Sequence, residues 1–227
     1  MAKNVVEKID DKVKIQTMLV SVSDKSGLET FIPGMLEANP DLTILSTGGT
    51  YAKLKEILGD KAETCLKQVS DYTGQPETQG GLVKTLDFKI YLGLLTETYN
   101  DAHQDDLKRT NALAIDMVVV NLYPFSQTIA QDGVTVENAR GNIDIGGPTM
   151  IRASAKNFIR VASVVDPASY PGILDKVESQ DGALSLEDRY ILSKKAFEHT
   201  AVYDRTITDY LGDKAMEEVQ SCYKTGE

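Results

Sequence analysis

Between Thr17 and Leu58 the chain runs twice through one pattern: an apolar run, a polar turn, then a helical stretch. Thr17 to Val22 reads as a buried strand and Ser23-Asp-Lys-Ser-Gly27 as a turn. Leu28 to Ala38 has apolar residues at helical spacing, with Pro33-Gly34 a candidate break. Leu42 to Leu45 gives a second strand, Ser46-Thr-Gly-Gly-Thr50 a second turn, and a helix follows through Leu58. Successive strand–turn–helix units argue for a parallel sheet with right-handed crossovers. In an open α/β sheet of this kind, ligands bind beyond the carboxyl ends of the strands.

The remaining segments extend the alternation. Glu63 to Gln68 reads as a short strand, and Ser70 to Leu86, glycine-rich and irregular, as a binding loop. Asp101 to Arg109 has helical character, and Ile115 to Val120 is the best central strand. Arg160 to Val165 gives another strand and Ser169 to Val177 a helix. A long helix follows Ser185, where Ser-Leu-Glu-Asp188 resembles a capping box. Its Ile191, Leu192, Ala196, Phe197 and Val202 are spaced for burial. With no internal repeat or low-complexity tract, residues 1–227 read as one α/β domain with a C-terminal helical extension.

Charge and composition narrow the function. At 227 residues the chain can bury a substantial core, and a net charge of −10 argues against a general nucleic-acid binder. No apolar stretch approaches the ~20 residues of a membrane span, and Met1 to Lys8 lacks a signal-peptide core. Cys65 and Cys222, far apart and without metal-like spacing, read as free thiols of a reducing cytoplasm.

Several polar turns can carry chemistry. Ser21, Ser23 and Lys25 end the first strand, and Thr47, Gly48, Gly49 and Thr50 end the second. Hydroxyls, backbone N–H groups and a lysine there suit a phosphate, although each turn alone is also an ordinary surface turn. Neither is a P-loop or a dinucleotide fingerprint. Gly80-Gly81-Leu82-Val83-Lys84-Thr85 offers a lysine that is either solvated or an acid/base or electrostatic group. Asn121-Leu-Tyr-Pro-Phe125 follows the central strand, placing Asn121 and Tyr123 at its carboxyl end. In Asp144-Ile-Gly-Gly-Pro148, Gly146 and Gly147 lead into a helix that Pro148 suits as an early residue. Arg152 and Lys156, four apart, repel by roughly 0.2–0.5 kcal/mol on an isolated helix, a pairing that makes sense near an anion. His103 and His199 form no Ser/His/Asp arrangement and no metal cluster.

Read in order, these segments resemble the IMP cyclohydrolase domain of the bifunctional AICAR transformylase/IMP cyclohydrolase of purine biosynthesis. The matching pieces are Ser21-Val-Ser-Asp-Lys-Ser-Gly27, Ser46-Thr-Gly-Gly-Thr50, Val69-Ser-Asp-Tyr-Thr-Gly74 and Val83-Lys-Thr-Leu86. Asn121-Leu-Tyr-Pro-Phe125, Asp144-Ile-Gly-Gly-Pro-Thr149, Arg152-Ala-Ser-Ala-Lys-Asn157 and Lys195-Ala-Phe-Glu-His-Thr-Ala201 complete the series. The resemblance implies a methylglyoxal-synthase-like fold, a three-layer α/β/α sandwich with a mostly parallel sheet. It implies dehydrative closure of formyl-AICAR to IMP, without cofactor or metal, in a homodimer. It also implies that the transformylase half is absent and that a separate AICAR transformylase supplies the substrate.

On the same resemblance, Ser21, Ser23, Lys25, Thr47, Gly48, Gly49 and Thr50 would hold the 5′-phosphate side. Lys84, Tyr123, Asp144 and Lys156 would surround the reacting groups, with Thr85, Asn121, Gly146 and Gly147 beside them. The family pattern Gly-Arg-Val-Lys-Thr-Leu-His-Pro stands here as Gly81-Leu-Val-Lys-Thr-Leu-Asp-Phe88, and a further family histidine is Tyr91. Losing that arginine removes a multidentate donor. A non-catalytic nucleotide-binding module and another phosphate-substrate lyase of the same fold therefore stay open beside the enzyme.

Overall fold

The computed structural model describes residues 5–75 and 84–226. In chain order the elements are β1 (Lys12–Lys14), β2 (Thr17–Val22), α1 (Leu28–Ala38), β3 (Thr43–Ser46), α2 (Gly48–Leu58), α3 (Ala62–Cys65), β4 (Leu66–Gln68) and α4 (Val69–Thr73). Then come α5 (Phe88–Leu95), α6 (Asp101–Thr110), β5 (Met117–Asn121), α7 (Phe125–Ile129), α8 (Val136–Gly141) and α9 (Gly146–Lys156). β6 (Ala162–Val164), α10 (Tyr170–Ser179), β7 (Ala183–Ser185), α11 (Leu186–Gly212) and α12 (Met216–Ser221) complete the series.

Five strands pair in parallel in the order β4-β3-β2-β5-β6. Alternate residues of each strand face opposite layers, so both faces must be covered. Met18, Val20, Ile44, Met117 and Val119 pack with α1, α2 and α10. Leu19, Leu45, Val118 and Val120 pack with α5, α9 and α11. The result is the expected three-layer α/β/α sandwich. The chain turns outward from β2 to β3 and β4, then returns to β5 and β6 on the other side. That reversal opens a crevice at the carboxyl ends of β2 and β5, where Val22 pairs with Asn121.

Several local readings are corrected. α1 runs through Pro33 instead of breaking. An interior proline costs ~3 kcal/mol, but Leu28, Phe31, Ile32 and Met35 are wholly buried, each worth ~1.5–3 kcal/mol. Burial wins. Glu63 to Gln68 is half helix, with only Leu66–Gln68 forming a strand. Residues 70–73 of the expected binding loop are helical, within α4, and residues 76–83 of it lie outside the described residues. β1 and β7 form a separate antiparallel ribbon that the sequence did not announce.

The capping box at the start of α11 is present, and it has a pH signature. Burial opposes ionisation of Asp188, but hydrogen bonds from Lys176, Gln180 and Ser185 hold its carboxyl down at about 2. An unfolded aspartate titrates near 3.9. Stability from Asp188 is therefore complete above pH ~4 and is lost as pH falls through the folded value. Asp188→Asn should flatten that acid loss by about 2 kcal/mol in urea titrations between pH 5 and pH 2. A mutant with the wild-type acid slope contradicts this assignment.

Candidate active site

The crevice is a cavity of about 510 Å³, lined by the turns after β2, β3 and β5 and by the Asn142–Gly147 segment. Two eleven-residue helices, α2 and α9, start at its wall. Their N-termini each carry about half a positive charge, which favours an anion in an otherwise acidic chain. Lys25 and Lys84 add two cations to the lining.

The phosphate-side turns are tied together by side chains. Ser21 Oγ and Thr47 Oγ1 are hydrogen-bonded at 3.0 Å, linking the ends of β2 and β3. Asn121 Oδ1 accepts from the Ser23 and Asp24 amides at 2.7 and 2.8 Å, and its Nδ2 donates to Asp24 O at 2.8 Å. Asn121 thus fixes the β2–α1 turn. Thr50 is spent in the same way: its hydroxyl accepts from Val22 N–H and donates to Val22 O, both at 3.0 Å. Thr50 and Asn121 line the cavity, but as braces. Lys25 Nζ donates to Ser23 O at 3.3 Å. Gly48 has φ +46°, and a side chain there would begin 3.4 Å from Lys84 Nζ. The Lys84 ammonium therefore lies over the start of α2.

At the other end stands Asp144. Its Oδ1 accepts from Gly147 N–H at 3.0 Å, and its own N–H donates to Tyr203 Oη at 2.8 Å. Burial pushes its carboxyl above the usual aspartate range, opposed by the N–H groups of Gly147, Tyr123 and Gly146. A Cβ on Gly147 would collide with the Asp144 carboxylate and with Leu122, and one on Gly146 would sit 2.7 Å from Thr85 Oγ1. Those glycines let carboxylate and hydroxyl approach the helix start. Tyr123 is 58% exposed at the rim.

Of the residues singled out by sequence, fourteen line this cavity: Ser21, Ser23, Lys25, Thr47, Gly48, Gly49, Thr50, Lys84, Thr85, Asn121, Tyr123, Asp144, Gly146 and Gly147. Lys156 does not. It lies exposed at the far end of α9, about 15 Å from Gly146 at 1.5 Å per residue. Nor does Arg152 face the anion side; its guanidinium stacks on Phe197 at 5.6 Å. Of the departures from the family pattern, Leu82 lies outside the described residues, as do Gly80, Gly81 and Val83. Asp87 has become the N-cap of α5, accepting from Lys89 N–H at 2.8 Å. Tyr91 keeps a buried hydroxyl, and burial pushes it to about 12 against the opposing pull of Thr149. A phenol in that range stays protonated where a histidine would titrate.

His199 sits across Asn121 in an adjoining crevice with Asp24 and Asp166, and burial lowers its pKa. His103 Nδ1 accepts from Glu97 N–H at 3.2 Å. Among the described residues no cluster of His, Cys, Asp or Glu could hold a metal ion, and no helix is long and apolar enough to cross a membrane. Sequence reasoning missed Tyr203. It lies seven residues beyond Ala196, on the same buried face, a spacing that could have found it.

The chain belongs to the family of MGS-like domains, whose model matches residues 31–149. Residues 154–226 match a second model, described as the AICARFT/IMPCHase bienzyme, so the resemblance seen in the motifs holds. The bifunctional purine biosynthesis protein PurH of Ruminiclostridium cellulolyticum is 45% identical over 88% of this chain and 37% of its own. That of Prochlorococcus marinus is 46% identical over 92% of this chain and 39% of its own. The chain thus spans under two-fifths of those relatives. A crystal structure of ForH superposes with a TM-score of 0.75 at 29% identity, covering 87% of this chain and 97% of the other.

Proposed function

We propose that the protein is an IMP cyclohydrolase, closing formyl-AICAR to IMP as a cytoplasmic homodimer. What carries this reading is the convergence of Lys84, Thr85, Tyr123 and Asp144 with two phosphate-suited turns on one cavity, in a chain related to purine biosynthesis proteins. The substrate phosphate would lie against the starts of α2 and β2's turn, held by Gly48 and Gly49 amides, Ser23 and Lys25. Its base would then reach towards Asp144.

In the reaction the carboxamide nitrogen attacks the formyl carbon and a C–N bond forms. The C–O bond then breaks as a C=N bond forms to the former formamido nitrogen, and the oxygen departs as water with one proton from each nitrogen. Asp144 is suited to take the amide proton, because burial has raised its basicity. Positioned proton transfer of this kind is worth roughly 10²–10⁴-fold. The formyl oxygen gains negative charge and then a proton. Tyr123 can donate a hydrogen bond to it, and the Lys84 stem can swing its ammonium from Gly48 towards it. Oxyanion donors are worth ~3–4 kcal/mol each. Holding both ends of one flexible molecule removes much of the remaining entropic cost. Ultraviolet detection of purine formation from formyl-AICAR tests the reading. Turnover above the spontaneous rate supports it, and IMP binding without turnover replaces it with a nucleotide-binding module.

The dimer gives Lys156 a place. Exposed at the far end of α9, ten residues from the cavity-lining Gly146, it suits a partner's pocket better than its own. Lys84→Ala and Lys156→Ala protomers, each inactive alone, should on mixing recover about a quarter of wild-type turnover, since half the two-fold dimers then hold one intact site. No recovery, in dimers verified to have exchanged, means that Lys156 acts within its own chain or not at all.

A further inference from the structure

α11 packs along α9, β6 and α7, and its residue Tyr203 is only 9% exposed. The Tyr203 ring meets Phe125 edge-on, with centroids 6.3 Å apart at 69°. Phe125 is 1% exposed and stands two residues after Tyr123. The hydroxyl at the other end of the ring accepts the Asp144 N–H at 2.8 Å. One side chain thus touches two of the loops that bring polar groups to the cavity, its ring on the Tyr123 loop and its oxygen on the Asp144 loop. A phenylalanine would meet the packing need alone. The hydroxyl has a separate task.

We propose that Tyr203 is a positioning residue, its hydroxyl fixing the Asp144 backbone so that the carboxylate is held at the cavity mouth in line with Tyr123. This deepens the cyclohydrolase reading and rests on it for the chemistry. The Asp144 carboxylate faces the N–H groups of Gly147, Tyr123 and Gly146, and Tyr203 holds its main-chain amide. With the Tyr203 contact gone, the main chain at Asp144 can shift and carry the carboxylate with it. Burial keeps the Tyr203 phenol protonated, so it serves as a neutral acceptor beside the acid. The groups on the phosphate side, Ser23, Lys25 and the start of α2, do not touch it, so ground-state binding should be spared.

The test is Tyr203→Phe in the full chain, which keeps the ring on Phe125. In the ligand-free protein the Asp144 amide, followed by NMR hydrogen exchange, should exchange about fivefold to tenfold faster, as expected for losing one net hydrogen bond. The Val119 and Val120 amides should be unchanged. Turnover of formyl-AICAR should fall about tenfold, with KM and IMP affinity held within about twofold. Wild-type exchange at Asp144 overturns the proposal, as does faster exchange with wild-type kcat. Parallel losses of melting temperature, IMP binding and turnover reduce Tyr203 to a structural residue and overturn it too. Absence of turnover in the wild-type protein refutes the cyclohydrolase reading instead, and Asp144 exchange still decides whether the hydroxyl fixes that loop.

Discussion

Asp144→Asn is expected to lower formyl-AICAR turnover by at least about 100-fold while leaving IMP affinity within about threefold. The asparagine keeps the size of the side chain, and its Oδ1 can still accept Gly147 N–H, so the start of α9 is undisturbed. What disappears is a base whose affinity for protons burial has already raised. Loss of kcat at unchanged binding is the signature of a group that acts on the transition state. The wild-type acid limb should lie above the ordinary aspartate range, because the active form is the carboxylate and its pKa is raised. A mutant within tenfold of wild type would remove Asp144 from the chemistry. Equal losses of binding and turnover would make it a scaffold for α9.

The second large effect concerns stability. Arg189 is fully buried, and its guanidinium donates to five main-chain carbonyls: Asp10, Asp11, Phe158, Ile159 and Leu184. Three separated stretches of chain therefore meet on one planar cation. Arg189→Met retains much of the volume but leaves those acceptors without a donor and seals some of them from water. The expected loss is about 3–5 kcal/mol, the range for breaking a buried charged network, read as a lower urea midpoint at unchanged slope. Arg189→Lys should recover only part of it, since one ammonium has three donors and lacks the fork. A midpoint change worth less than about 1 kcal/mol would show that water reaches those carbonyls.

The strands of the sheet were legible because β2, β3 and β5 are covered on both faces, so their sequences are almost unbroken apolar runs. The cavity was legible because turns after parallel strands share one edge of a sheet, which brought Ser21, Thr47 and Asn121 together from sequence order alone. Lys156 lies apart from the other candidate residues because a motif gives neighbours along the chain, whereas a helix carries residues ten apart to opposite ends. The α11 face was misread for a different reason. Ile191, Phe197 and Val202 were expected inside, yet they are 37%, 39% and 62% exposed. The buried stripe is Arg189, Leu192, Ser193, Ala196, Thr200 and Tyr203. Ser193 and Thr200 satisfy their hydroxyls on the carbonyls of Tyr190 and Phe197, so polar residues are buried at little cost and hide the face. β1 and β7, three residues each, are too short to show any period.

The ribbon of β1 and β7 also carries a schedule. Lys12 pairs with Ser185, and Arg189 then gathers the carbonyls of Asp10 and Asp11. A ribosome adding about 5–20 residues per second needs roughly 10–30 s to travel from the first of these partners to the second. Through that interval β1 lacks its partner β7, while β2 and β3 can already find each other. The ribbon is thus seated only after much of the parallel sheet has been made.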